Sequence, residues 1–274
     1  MPHREVHAMI SDEGARWLNT RPDGGWCLRE RGTYTYGFNA VTDSQFKPTS
    51  VMEQYVIWVQ DTSDTALDTA PEYKLIRACR DALSTPYKIE LRVESRSRGD
   101  GLKMTFEART SSEPRARVEY RVDQDRLKWA RVIPRDLATH ISELDLAEGT
   151  IILPLMRNFL GAVIHEVSHR RGGQASILVP ELTDPHADSV FTPTIGMRSA
   201  TLALRDSEHI TLADRTWDCL VYRFVGGPYD DNSTFWVCQQ SHRLIRYIFD
   251  APTGDRWSAE LSRLDSCSIG SLSQ

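Results

Sequence analysis

The spacing of His165, Glu166 and His169 is the strongest chemical signal in this sequence. The three residues spell H-E-x-x-H, the pattern with which zinc peptidases bring two imidazoles to one metal while the Glu activates a metal-bound water. On a helix the two histidines lie within about 40° of each other, opposite the apolar stripe of the same segment. The spacing therefore permits a zinc site with His165 and His169 as ligands and Glu166 as the base.

The residues that follow this motif argue against a metal. Gly172 extends the pattern to H-E-x-x-H-x-x-G, which resembles the start of the metzincin signature, but Ala175 stands where that family has its third ligand. Arg170 and Arg171 would raise the electrostatic cost of a bound cation. Histidines and arginines in a last helical turn also complement the helix dipole. We therefore predict that the motif holds no metal, and the zinc site stays as the alternative.

Aromatic residues on the predicted strands are the second set of candidates. A curved sheet that is rich in aromatic side chains often lines an apolar pocket, while core filling is the other interpretation of the same residues. We predict that a subset of them contacts an apolar ligand. This subset is Phe106, Tyr120, Trp129, Tyr222, Trp236, Tyr247 and Trp257.

The elements that must position these residues are mostly strands. Residues 87–94, 102–109 and 115–122 alternate apolar with polar, mostly charged side chains, and short polar connections separate the three runs. Such runs predict strands with one buried and one wet face, paired as an antiparallel meander. Residues 127–133 are predicted to add a fourth strand.

The phase of this alternation assigns side chains to the two faces of the sheet. Phe106, Tyr120 and Trp129 share their phase with the apolar residues of the runs, so we expect them on the buried face. Lys103 and Arg117 have the opposite phase and should face water.

A helix interrupts the predicted strands. Residues 135–171 break the β pattern, and apolar residues recur there at helical spacing between a proline and a glycine pair. This predicts a long amphipathic helix over residues 154–171, whose apolar stripe packs on a sheet. Shorter helices are predicted over residues 5–20 and 71–83.

Strands account for most of the remaining chain. Aromatic and β-branched residues predict two strands near its start, and runs separated by turn residues predict six more in its last third. These predicted strands cover residues 26–38, 51–60, 176–179, 198–204, 217–225, 234–239, 244–249 and 256–261.

The fold class predicted from these elements is mostly β. We expect antiparallel meanders that form a curved sheet or barrel, in one or two β units, with one long amphipathic helix between them. The expected organisation is an N-terminal β unit over 1–134, a helical connection over 135–175, a C-terminal β unit over 176–265 and a frayed tail over 266–274.

Composition and charge exclude several classes of partner. The 274 residues carry a formal net charge of -5 with both signs interspersed, which gives no electrostatic reason to expect nucleic acid. An apolar run of about 18 residues, long enough for insertion into a membrane, does not occur. The start of the chain lacks the apolar run of a signal peptide, so we expect a cytoplasmic protein.

Cysteine usage and the absence of nucleotide motifs argue against redox and cofactor chemistry. The five cysteines form no C-x-x-C pair, which fits free thiols in a reducing compartment. No phosphate-binding loop and no G-x-S-x-G motif occurs. We therefore predict a protein without a cofactor.

The last strands of the chain resemble those of known carrier families. Residues 235–237, 243–247, 253–255 and 257–261 form a pattern of strands and turns similar to the closing meander of lipoprotein-carrier-like half-barrels and of lipocalin-like β-barrels. These families hold apolar molecules on the concave side of a curved antiparallel sheet. The resemblance thus implies an apolar small molecule as ligand or substrate.

Three functions stay open at this point. The leading hypothesis is a β-barrel or half-barrel that binds an apolar small molecule, with a cofactor-free isomerase or cyclase of small-molecule biosynthesis as its enzymatic form. The alternatives are a zinc-dependent hydrolase that uses the H-E-x-x-H motif, and a non-catalytic binding or scaffold protein. The sequence determines neither the ligand nor the oligomeric state.

Overall fold

A computed structural model describes most of the chain. The described residues are 12–39, 46–60, 72–81, 87–95, 102–110, 113–123, 125–133, 138–154, 156–180, 190–203, 207–212, 214–226, 232–250 and 254–266.

Strands dominate the first half of the described chain, with a single short helix before them. The elements are α1 (Asp12–Asn19), β1 (Trp26–Asn39), β2 (Lys47–Gln60), β3 (Glu72–Asp81), β4 (Tyr87–Ser95), β5 (Leu102–Thr110), β6 (Glu113–Asp123), β7 (Arg126–Ile133) and β8 (Ala138–Asp145).

The second half contains the longer helix and the remaining strands. A short 3₁₀ turn at Arg171–Gly173 follows the helix. The elements are β9 (Ile151–Ile152), α2 (Arg157–His169), β10 (Gln174–Pro180), β11 (Pro193–Leu202), β12 (Glu208–Leu212), β13 (Arg215–Val225), β14 (Thr234–Cys238), β15 (Leu244–Asp250) and β16 (Arg256–Ser266).

All the described strands belong to one sheet. Its order is β8-β7-β6-β5-β4-β3-β2-β1-β16-β15-β14-β13-β11-β10-β9, with β12 paired to β13 beside this path. Neighbours are antiparallel except β9 and β10, which are parallel. The prediction of a mostly β fold, built from antiparallel meanders with one long helix between them, is therefore confirmed. The strand order leaves β8 and β9 at its two ends, so the described ladders do not close the sheet into a barrel.

The sheet must curl, because distant strands share one core. A flat sheet of this many strands, spaced about 4.8 Å apart, would be roughly 70 Å wide. Yet the ring of Phe106 on β5 lies 5.2 Å from the ring of Phe191, just before β11, and the Tyr120 hydroxyl donates to the Phe191 carbonyl. We call the face that carries Phe106 and Tyr120 the inner face and the opposite one the outer face.

The meander β4 to β7 has the predicted side-chain phase. Phe106 and Tyr120 are buried on the inner face and Trp129 is half-buried. Arg117 is exposed, and Lys103 forms an ion pair with Glu119 at 3.2 Å on the wet side. Alternation is a local signal, and here one face alone is covered, so the sequence pattern and the burial agree.

The predicted helix over residues 71–83 is wrong, because this segment contains β3. Leu75 and Cys79 pack on the outer face beneath α1, in a cluster with Leu18, while Ile76 and Ala78 belong to the inner core. A strand that is buried on both faces has no polar alternation, so its apolar residues imitate helical spacing.

The predicted break in the β pattern over residues 135–171 is wrong in its first part. Residues 138–145 form β8, an edge strand whose Ile141 is 74% exposed. Since both faces of this strand are largely wet, it lacks the apolar alternation that marks a half-buried strand. The short strands β9 and β12 were also not predicted. The expected helical connection over 135–175 thus begins with a strand.

Other expectations concern the ends of the chain and its division into units. Helix α1 occupies most of the second half of the helix predicted over residues 5–20 and ends one residue early, while residues 5–11 lie outside the described residues. The tail expected to be frayed, residues 266–274, lies outside the described residues except for Ser266. Ladder β1–β16 joins the two predicted β units into one sheet, and their existence as separate units stays a prediction.

Helix α2 fills the inner side of the curled sheet. Leu160, Val163, Ile164 and Val167 are buried, which agrees with the predicted apolar stripe, and α2 contacts β10, β11, β14 and β15.

Within the described segments, no helix has the length and apolar character needed to cross a bilayer.

The closest approach of α2 to the sheet occurs at Gly161. A Cβ at this position would lie 2.5 Å from the His242 carbonyl oxygen and 2.8 Å from the Arg243 carbonyl carbon, and still closer to the Leu244 nitrogen. These are backbone atoms of the turn between β14 and β15 and of the first residue of β15, which cannot move aside as a flexible side chain would. The helix therefore docks at a position where only glycine fits.

Gly161→Ala should lower the free energy of unfolding by about 1–3 kcal/mol, the usual cost of overpacking. In an exposed helix the same change would stabilise the protein by up to about 1 kcal/mol. Urea unfolding of both forms measures the difference. The control is Gly196→Ala, since a Cβ at Gly196 would meet nothing within 4 Å. Equal stability of the two variants would contradict the docking of α2 at Gly161.

Candidate functional site

The H-E-x-x-H motif occupies the last turns of α2, where it meets a third histidine. His165 stacks on His242 from the turn between β14 and β15, with ring centroids 3.5 Å apart and an angle of 17° between the planes. The ring of His169 lies 4.2 Å from that of His165. The predicted pair of histidines thus belongs to a cluster of three, and the sequence did not indicate the third member.

The geometry of this histidine cluster does not favour a metal. An imidazole binds a metal through a lone pair in its ring plane, and the lone pairs of two stacked rings run side by side rather than converge. Nδ1 of His169 lies 2.8 Å from the His165 carbonyl oxygen, and Glu166 forms an ion pair with Arg170 at 2.6 Å. In the described part of the chain, no three His, Cys, Asp or Glu residues are arranged to hold a metal ion. The absence of a metal stays a prediction.

The cluster does affect protonation. Burial lowers the pKa of His165, and the neighbouring His242 and His169 lower it further. The folded state therefore favours neutral His165. Because the unfolded chain binds this proton more tightly, protonation of His165 favours unfolding. The stability that neutral His165 contributes is therefore present above the unfolded-state pKa of about 6.5 and is lost as the pH falls below it.

Three of the predicted ligand-contacting aromatics are core residues. Phe106, Tyr120 and Tyr222 are almost inaccessible to solvent, at 2%, 0% and 1% exposure, and the Phe106 and Tyr120 rings lie 5.3 Å apart. A side chain that lined an empty cavity would keep surface accessible to water, so these three are surrounded by packed neighbours. Trp129 is opposite Tyr120 in the ladder and half-buried.

Trp236 lies on the other side of the sheet from its predicted companions. Its neighbour Phe235 stacks on Tyr247 of the inner face, with ring centroids 4.4 Å apart, and successive residues of a strand point to opposite faces. The Trp236 indole donates to Glu208 at 2.6 Å, and the Arg246 guanidinium lies 5.6 Å from its ring centroid. Trp236 therefore does not share a surface with Tyr247.

The inner face also carries a closed polar network that the sequence analysis missed. The Tyr55 hydroxyl donates to Glu30 at 2.6 Å, and the Arg243 guanidinium forms an ion pair with the other Glu30 oxygen. The Tyr34 hydroxyl donates to the Leu244 carbonyl at 2.9 Å. Burial raises the pKa of both tyrosines well above the ordinary value, so both stay neutral donors. Each charge in this network has its partner within it.

Arg157, the first residue of α2, is different. Its backbone N–H donates to Glu53 at 3.0 Å, and its Nε donates to the Tyr36 hydroxyl at 3.2 Å. Its guanidinium carbon lies 6.0 Å from the ring centroid of Tyr36 and 5.3 Å from that of Tyr247. Among the described residues, its two terminal nitrogens have no hydrogen-bond partner and no carboxylate oxygen within 4.0 Å. Arg157 is half-buried, so these donors remain accessible.

Arg157 keeps its charge. Burial alone would lower its pKa, but Tyr36 and Glu53 together hold that pKa above the ordinary value. Glu53 is only 4% exposed, and it is stabilised by the N-terminus of α2 through the Arg157 N–H. The Arg157 N–H binds this carboxylate, and the two terminal nitrogens of the guanidinium remain available for an anionic group.

Buried and half-buried aromatic residues continue from Arg157 along the inner face. Tyr247 and Phe249 stack with centroids 4.8 Å apart, and Phe38 meets Trp257 edge-to-face at 5.1 Å. Trp257 is opposite both Phe38 and Phe249 in the ladders. We call this row, together with Tyr36, the aromatic mouth. Two of the predicted ligand contacts, Tyr247 and Trp257, belong to it.

The sequence offers little sign of this site. Arg157 lies 104 residues from Glu53 and 121 residues from Tyr36 along the chain, so no motif joins them. Glu53 is a charged residue inside an apolar strand, and that contrast is the one local signal. The site is formed by tertiary contacts.

Comparison with known proteins gives few matches. No family model matches the chain, and no curated protein does. A solved structure, described as a β-barrel-like protein of domain of unknown function DUF1849 from Brucella abortus, matches with a TM-score of 0.49 at 8% sequence identity. The match covers 88% of this chain and 98% of that one.

His242→Asn should raise the pKa of His165 toward its ordinary value, because it removes the stacked ring that helps to bury His165 and to disfavour its charge. Asn is the suitable replacement, since His242 has a φ of 52° and Asn tolerates that region. Titration of the imidazole NMR signals between about pH 5 and 8 measures the change. His140→Asn, on the exposed strand β8, is the control. A His165 pKa that stays the same in His242→Asn would contradict the stacked arrangement.

Proposed function

We propose that this protein binds a small molecule with an apolar body and an acidic group, held on the inner face of the sheet. Arg157 would receive the acidic group, and the aromatic mouth would contact the apolar body. The observation that carries the proposal is the Arg157 guanidinium, whose terminal nitrogens lack a partner among the described residues although two aromatic rings flank it.

The energetics of a buried arginine support an anionic partner. The two terminal nitrogens of this half-buried guanidinium lose part of their hydration and gain no hydrogen bond from the described residues in exchange. A carboxylate or sulfonate accepts two parallel N–H bonds from the guanidinium fork. Such charge-assisted hydrogen bonds contribute about 1.5–3 kcal/mol each. An acidic ligand would thus remove a cost that the unliganded site carries.

The aromatic mouth accounts for the apolar part of the ligand. Phe38, Phe249 and Trp257 are half-buried, so a ligand that covered them would remove further apolar surface from water. This gain is about 25 cal/mol per Å². An apolar ligand is also what the resemblance to carrier families implies, and the Arg157 site adds the acidic group to that expectation.

The proposal concerns binding. The isomerase or cyclase activity and the cytoplasmic location expected from the sequence stay predictions. The zinc hydrolase alternative has weaker support, because Glu166, its base, is paired with Arg170 and two of the three clustered histidines are stacked.

The proposal is tested with a matched pair of fluorescent probes. The aromatic sulfonate 1-anilinonaphthalene-8-sulfonate has both an apolar body and an anionic group, and N-phenyl-1-naphthylamine has the same rings without the anion. Arg157→Met keeps the length and apolar stem of the side chain but removes the charge. It should weaken binding of the sulfonate by about 10-fold or more, the equivalent of one charge-assisted hydrogen bond, and leave the neutral probe within about 2-fold.

Arg246→Met is the control, because Arg246 also lies over an aromatic ring, that of Trp236, but on the outer face. It should bind both probes as the natural protein does. Near-UV circular dichroism verifies that each variant keeps its tertiary packing. Equal loss of both probes in Arg157→Met, or equal loss of the sulfonate in both variants, would refute the proposal.

A further inference from the structure

We propose that a small cavity on the outer face binds a small oxyanion, a carboxylate or phosphate group, at Arg31. The cavity has a volume of about 110 Å³ and lies between the end of α1 and strands β16, β1 and β2. It is on the opposite face from Arg157, so this inference is independent of the function proposed above.

Two rows of side chains on neighbouring strands form the floor of this cavity. The strands pair so that alternate residues of β2, β1 and β16 stand side by side on the outer face, and Leu18 of α1 closes one side. The rows are Val56–Arg31–Asp265 and Gln54–Thr33–Arg263.

Arg31 is the uncompensated charge in this floor. Its Nε is buried without a hydrogen-bond partner, and within the described ranges no hydrogen bond or ion pair reaches its guanidinium. Asp265 is directly opposite Arg31 in the ladder, but Arg263 on the same strand holds that carboxylate at 3.0 Å. Arg31 thus lies beside the cavity, and its guanidinium donors have no acceptor among the described residues.

Neighbouring groups add donors suited to an oxyanion. The Thr33 hydroxyl has no partner in the described part of the protein. The Gln54 amide contacts a weak acceptor, the Met52 sulfur, at 3.8 Å. A guanidinium beside a hydroxyl and an amide is a set of donors that suits carboxylate and phosphate oxygens.

The end of α1 does not oppose an anion here. The carbonyl oxygens at the C-terminal end of a helix carry partial negative charge and would repel one. Arg77 occupies them, because its Nη1 donates to the Trp17 carbonyl at 3.1 Å and to the Thr20 carbonyl at 2.6 Å. The Arg31 side of the cavity therefore keeps a net positive character.

The size of the cavity limits the ligand. Pockets for drug-sized ligands measure about 300–1,000 Å³, whereas this cavity of about 110 Å³ has room for a few waters or one small oxyanion. The occupant is therefore a free small anion or the acidic end of a larger molecule that extends outward.

Titration of the full chain with inorganic phosphate and, separately, with sodium acetate tests the site. The Arg31 Nε–H signal in ¹⁵N–¹H spectra should shift and saturate with at least one of the two anions, and the tighter of them identifies the class. Arg31→Met should weaken this binding at least 10-fold, measured through the backbone N–H signals of Thr33 and Gln54 beside the cavity. Arg121→Met, at a surface arginine that pairs with Glu119, should bind as the natural protein does.

A second variant distinguishes a lost anion site from an unfolded protein. Thr33→Val keeps the size and β-branched shape of the side chain and removes the hydroxyl, so it should weaken anion binding several-fold in a folded protein. Phosphate should also raise the melting temperature of the natural protein and of Arg121→Met, but not that of Arg31→Met. The inference is overturned if neither anion shifts the Arg31 signal, if sodium chloride at equal ionic strength has the same effect, or if Arg31→Met retains the phosphate-dependent rise.

Discussion

The ladder between β1 and β16 is the interaction on which the rest of the structure depends. It pairs the first described strand with the last, from Glu30 opposite Ser266 to Asn39 opposite Arg256. Closing so long a loop costs conformational entropy, which the ladder alone does not offset. Burial of the inner face, which the ladder makes continuous, offsets this entropic cost. The same pairing brings Tyr36 of β1 and Tyr247 of β15 to the two sides of Arg157.

Helix α2 completes this core. A curled sheet leaves its inner face open to water unless another element covers it, and α2 does so with its apolar stripe. Its close approach at Gly161 places the helix against the turn between β14 and β15, and this turn carries both His242 and Arg243. The turn therefore contributes His242 to the histidine cluster and Arg243 to the network with Glu30.

The charges of the sheet separate into paired and unpaired ones. Glu30 with Arg243 on the inner face, and Arg77 with Glu90 at 2.9 Å on the outer face, are ion pairs, so they contribute to structure. Arg157 and Arg31 differ, since each has guanidinium donors without a described acceptor. A buried or half-buried hydrogen-bond donor without an acceptor is costly. Arg157 lies on the inner face and Arg31 on the outer face, and each has donors that the described part of the fold leaves unsatisfied.

The sequence by itself determined the elements whose burial is one-sided. The alternation over residues 87–122 predicted β4 to β6 and their phase, and the apolar spacing before the histidines predicted α2, because both signals are local. It was wrong for β3, which is buried on both faces, and it missed β8, which is wet on both, since neither has a one-sided pattern. Tyr247 and Trp257 were predicted as ligand contacts and lie in the aromatic mouth. Only the tertiary structure brought Arg157 to Tyr247, because residues so far apart in the chain meet through strand pairing and helix docking, which leave no spacing to recognise.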